Sequence, residues 1–266
     1  MDKKNLKILI ALSILVPLFL FLGYTVSRGY INKNAFEKDI LEIASKNEEK
    51  IFEIKELTMF SSADSVSEVR SNSTLNIDNL FQYTDIAIFL KPVKEDLDLK
   101  NTLKDVYINN IKFVKSPEEG TPCLYYKSLT EFATSKIVEE NLIKDELHFA
   151  ISSEDVEDLS TPTLYNNCAN PITLSYVNSN IKKDYTLPDA FSQISYDGSL
   201  LKRCGVLLNS IESSLSFDIH VTNNLDQNFV CPIHIEIPLE TKDGNTLYDG
   251  KLLLKNETNY TFYRYN

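Results

Sequence analysis

Hydrophobic spacing changes twice along this chain. From Ile8 to Val26 it is continuous, and these 19 residues carry no charge. At about 1.5 Å per residue, a helix of that length spans a bilayer core of roughly 30 Å, and Pro17 would kink it without abolishing it. From Asn34 to Phe60 the apolar residues fall at Phe36, Ile40, Ile43, Ile51, Ile54 and Leu57, with charges between them. That spacing predicts an amphipathic helix. Asn47 interrupts the stripe where a register-setting Asn would sit in a short coiled coil, so residues 34–60 are a candidate for self-association. Ser61–Thr74 is polar and aperiodic and predicts a linker.

Beyond residue 75 the period becomes two. Ile86, Ile88 and Leu90 share one face before Pro92, and Leu147, Phe149 and Ile151 another. The set Ile172, Leu174 and Tyr176 repeats the pattern. Val106 and Ile108 have one parity and Ile111 and Phe113 the other, which calls for a bulge near Asn109-Asn110. The cleanest alternations are Leu215, Phe217, Ile219, Val221 and Ile233, Ile235, Ile237, Leu239. The turn-forming stretch Thr222–Asn228 between them predicts a hairpin. Only Ser128–Ile143 reads as a helix in this region.

These elements predict a mainly β chain: an N-terminal transmembrane helix, a short helical stalk, then an antiparallel β-sandwich. The sandwich is immunoglobulin-like in the broad architectural sense, as one large unit or two small ones. The boundaries are a cytoplasmic head over 1–7, a signal anchor over 8–26, a juxtamembrane helix and linker over 27–74, and an extracytoplasmic region over 75–266. The acidic stretch 153–162 is the point where two units would divide. A cleaved signal peptide is the rival for the first segment. Its apolar core would be about 7–15 residues, and Thr25-Val26-Ser27 is a poor cleavage site. The short basic head and long acidic remainder place the N-terminus inside and the body outside.

Composition sharpens this. At 43% apolar residues the chain can build a core, and its net charge of −11 repels nucleic-acid backbones. Abundant Asn, Ile and Lys with no Trp fit an AT-rich bacterial genome. No G-x-S-x-G, H-E-x-x-H, P-loop or dinucleotide fingerprint is present, so neither catalysis nor a cofactor is expected. Cys123, Cys168, Cys204 and Cys231 form no C-x-x-C pair, but outside the membrane they allow disulfides among themselves. Odd positions face the core in both strands of the predicted hairpin. Asp218, His220, His234 and Glu236 therefore point outward together and are the candidate metal ligands, with an ordinary solvated sheet face as the alternative.

Tyr196-Asp197-Gly198 recurs as Tyr248-Asp249-Gly250, each followed by a Leu-Leu pair. Asp-Gly between apolar residues predicts two hairpin bends with exposed Asp side chains. The expected function is a membrane-anchored, non-catalytic binding or adhesion module for a protein or glycan. The alternatives are a structural subunit of a membrane or envelope assembly and, behind it, a hydrolase with an unrecognised site.

Overall fold

The computed structural model describes residues 50–266 apart from 71–73, 95, 97, 155, 157–158, 189–193 and 266. The apolar run Ile8–Val26 and the stripe up to residue 49 lie outside the described residues. Among the described residues, no helix is long and apolar enough to cross a membrane.

The chain is mainly β, with antiparallel sheets. The strands are β1 (Phe52–Arg70), β2 (Thr74–Pro92), β3 (Leu103–Lys115), β4 (Thr121–Tyr126), β5 (Leu147–Ser152) and β6 (Thr163–Tyr165). They continue with β7 (Ile172–Leu187), β8 (Ser214–Asn223), β9 (Asn228–Glu236), β10 (Leu252–Thr261) and β11 (Tyr263–Tyr265). One sheet, here sheet A, has the order β10-β1-β2-β7-β4, and the other, sheet B, the order β11-β9-β8-β3-β5-β6. Every pairing is antiparallel except β5 with β6. The inward-facing residues of both sheets form one core, which includes Ile86, Ile88 and Leu174 from sheet A and Val106, Phe217 and Ile233 from sheet B. Phe52 of sheet A meets Phe229 of sheet B edge to face at 5.6 Å, a geometry aromatic pairs favour.

Several expectations are met. β8 and β9 pair as a hairpin with odd positions opposite odd, Leu215 against Ile235 and Phe217 against Ile233. The bulge in β3 falls where the parity slips. The register shifts between Asn109 and Lys112, and Asn110 takes a φ of 54°.

Others are corrected. Residues 52–60 are strand, not helix, and Ser61–Arg70 continues that strand instead of forming a linker. A bulge between Ile54 and Glu56 stretches one period-two step to three, so the buried residues Phe52, Ile54, Leu57 and Met59 imitate helical spacing. The sheet region thus begins at Phe52, not at residue 75. Residues 153–162 do not divide two units either, because β3 pairs with both β5 and β8 and both sheets draw strands from each side. Ser128–Ile143 is not a helix. It contains only the 3₁₀ turns Leu129–Glu131 and Glu139–Asn141.

The repeated Tyr-Asp-Gly is not a pair of hairpin bends. At the first copy, Asp197 accepts from the Ser199 backbone N–H at 3.0 Å and opens the short helix α1 (Ser199–Arg203). At the second, Thr246 and Asp249 form a capping box around the 3₁₀ turn Leu247–Asp249. The copies touch: the Gly198 N–H donates to the Gly250 carbonyl at 2.7 Å. Around this contact Leu200, Leu201, Leu247 and Leu252 bury against Ala63, Leu75 and Ile77, making a second core at the far end of sheet A. The genuine Asp-Gly reversal is at Asp243-Gly244, where Thr241 N–H bonds the Asn245 carbonyl at 2.7 Å.

A methyl group at Gly198 would lie 1.9 Å from the Leu247 carbonyl oxygen, whereas one at Gly205 meets nothing within 4 Å. Gly198→Ala is therefore expected to lose about 2–4 kcal/mol in denaturant unfolding, through overpacking against backbone. Gly205→Ala, strained only by its φ of +68°, should lose about 1 kcal/mol. Equal losses would contradict the contact between the two copies.

Candidate functional site

The outer face of sheet B carries a row of rings. Alternation buries Val106 and Ile108 and turns Tyr107 outward, and it does the same for His220 between Ile219 and Val221. The register sets Tyr107 opposite His220 on one side and His148 on the other. The Tyr107 and His220 rings stack at 4.4 Å with planes 2° apart, and Tyr107 and His148 stack at 5.1 Å. Tyr265 closes the row edge-on to His220 at 5.7 Å.

His220 is held from both nitrogens. Its Nε2 donates to Asn109 Oδ1 at 3.0 Å, and its Nδ1 shares a hydrogen bond of 2.9 Å with the Tyr265 hydroxyl, accepting it when Nε2 carries the only ring proton. Those roles match the neutral ring. Burial pushes the His220 pKa below its usual value, and the nearby Asp218 carboxylate opposes that only in part. Asp218 in turn accepts from Asn110 Nδ2 at 2.9 Å, so the β3 bulge supplies a partner to both Asp218 and His220 of β8.

The proposed metal ligands share this face but do not converge. His220 lies opposite Val230 and His234 opposite Ser216. The two imidazoles are thus four positions apart along the hairpin, about 13 Å at strand rise. His234 bonds Glu236 on its own strand at 2.9 Å. No cluster of three or more His, Cys, Asp or Glu able to hold a metal occurs among the described residues. All four cysteines are free thiols. Burial pushes Cys168 and Cys231 up to about 12 and Cys204 to about 11, so these three remain protonated and poorly nucleophilic.

A second assembly lies on the outer face of sheet A, beneath residues 128–143. Asp85 of β2 is 0% exposed and Lys127, just past β4, is 4% exposed. Lys127 Nζ donates to the Thr134 carbonyl at 2.8 Å and the Lys136 carbonyl at 2.7 Å. It stands 3.6 Å from Asp85 Oδ2. Asp85 Oδ1 accepts from the Ser175 hydroxyl at 2.6 Å, and Oδ2 accepts from the Ala133 N–H at 2.8 Å. Desolvation pushes the Asp85 carboxyl up and the Lys127 amine down, while each partner's charge pulls the other back. Tyr83, Tyr125 and Val177 cluster on the same face, with Ile137 and Leu142 of the covering segment packed on them, and Lys127 Nζ lies 5.9 Å from the centre of the Tyr83 ring. A cavity of about 280 Å³ opens beside Lys127, lined in part by Tyr125, Glu131, Lys136 and Ser175.

The ring row was half legible in the sequence. Alternation turns His220 outward, but only the β3–β8 pairing brings Tyr107 to it. Asp85 was hidden, because a charged residue facing away from Ile86 and Ile88 reads as solvated. The chain matches no protein-family model, no curated protein and no solved structure.

Two outcomes follow from these geometries. Because the folded pKa of His220 lies below 6.5, its contribution is complete above that value and is lost as pH falls through the folded pKa. Thermal unfolding between about pH 7.5 and pH 5 should show this loss, and His220→Gln should flatten that part of the curve; an unchanged profile would contradict it. At the other site, Lys127→Ala leaves a buried carboxylate without its cation and should cost about 3–5 kcal/mol, with Lys127→Met/Asp85→Leu recovering part of that loss.

Proposed function

We propose that this chain is a single-pass membrane protein whose extracytoplasmic body, an immunoglobulin-like sandwich in the broad sense, is a non-catalytic binding or adhesion module at the cell surface. Ile8–Val26 is the anchor: it is uncharged and long enough to span a bilayer. The N-terminal head lies inside and the acidic body outside. The observation that carries the binding reading is the row His148, Tyr107, His220, Tyr265 across the outer face of sheet B. His148, Tyr107 and His220 stand face to face, so they offer edges with hydroxyl and imidazole groups to a partner. That edge chemistry suits a protein or glycan surface rich in hydrogen-bonding groups. Aromatic side chains immobilised in advance lose little entropy on binding, which is why such groups dominate binding energetics. His148 is the exposed end of the row and its natural point of first contact.

In intact cells making the full chain, added protease should remove the body while a cytoplasmic marker stays whole; a body protected until lysis would contradict the topology. Adhesion of those cells to immobilised glycans and matrix proteins should fall at least about tenfold in Tyr107→Ala/His148→Ala, the loss expected from truncating a central aromatic contact. Unchanged adhesion by a folded double variant would overturn the assignment of this face.

A further inference from the structure

The geometry points to an intramolecular amide bond between Lys127 Nζ and Asp85 Cγ, formed by the folded chain itself. At 3.6 Å from Asp85 Oδ2, Lys127 Nζ is beyond ordinary hydrogen-bond distance of the carboxyl group, and a side-chain adjustment separates it from Cγ, the atom it would attack. Two of its N–H groups are already committed, to the Thr134 and Lys136 carbonyls at 2.8 and 2.7 Å. That leaves one tetrahedral position for Asp85, whose Oδ2 is 3.6 Å away. In a neutral amine, that position is the lone pair.

The carboxyl group is prepared in a complementary way. Ser175 donates to Oδ1 at 2.6 Å and Ala133 N–H to Oδ2 at 2.8 Å, so donors are fixed where negative charge would develop on addition. Burial favours the uncharged form of both groups, because an ion pair in this apolar pocket has lost its hydration. A proton passing from the ammonium to the carboxylate gives a neutral amine beside a neutral acid. The Nζ lone pair then forms the bond to Cγ, and Oδ2 carries the charge of the adduct against the Ala133 N–H. The Cγ–Oδ1 bond breaks beside the Ser175 hydroxyl, one Nζ proton goes to the departing oxygen, and water leaves. No oxidant, reductant or cofactor is consumed. The cavity beside Lys127 gives the water a way out.

The bond would join β2 to the end of β4 across the intervening β7, which carries Ser175. It would pin the covering segment as well, since the one N–H left on the Lys127 amide keeps one of its two carbonyl partners there. This inference stands apart from the surface-binding reading and concerns the opposite sheet.

The test is the mass of the purified full chain, followed by peptide mapping. The expected result is a protein lighter by one water than its sequence, with no tryptic cleavage after Lys127 and one branched peptide containing Lys127 and Asp85. Asp85→Asn should reach the same final product by losing ammonia, and Lys127→Arg should keep its full mass. A folded wild-type protein at full mass overturns the proposal whether or not the variants fold. So does a mass deficit that persists in Lys127→Arg.

Discussion

Sheet A is covered on both faces, and the outer cover has almost no regular structure of its own. Residues 128–143 cross β2, β7 and β4 as a loop with two 3₁₀ turns. A loop lying over a buried face must find partners for its backbone polar groups. Here the sheet supplies them. Asp85 takes the Ala133 N–H, and Lys127 takes the Thr134 and Lys136 carbonyls. Each ionisable group thus has a structural task beyond its partner's charge. Desolvating two charges is expensive, and these hydrogen bonds are what make the arrangement tolerable.

The two outer faces consequently differ. Sheet A turns Tyr83, Tyr125 and Val177 outward and hides them under the loop. Sheet B turns Tyr107, His148 and His220 outward and leaves them standing as a row. The bulge at Asn109-Asn110 reaches Asp218 and His220 of β8, and burial lowers the His220 pKa. The face proposed for binding is thus the one whose rings stay uncovered.

How far the sequence revealed this depends on which interactions are local. Period-two alternation found the hairpin of β8 and β9, and a parity slip located the β3 bulge, because both are written in neighbouring residues. Residues 52–60 misled because a bulge at Ile54/Glu56 gives apolar spacing of two, three, two, which passes for a helix. Ser61–Arg70 misled because small polar residues can be buried once paired; Ser61 bonds Thr84 at 2.7 Å in the interior. The repeated Tyr-Asp-Gly was visible as an echo, but nothing local says that the copies meet each other. Asp85 and Lys127 sit far apart in the chain, and only the strand order brings them together.

The central claim is that the sheet A side chains hold the 128–143 segment as a packed cover. Native-state hydrogen exchange on the full chain tests it at one amide, that of Ala133. Bonded to the buried Asp85 Oδ2, this amide should exchange only with global unfolding, alongside the central amides of β2 and β7. Exchange at the rate of an unstructured peptide, with β2 and β7 still protected, would show that the cover opens freely and that the pair beneath it does not hold it.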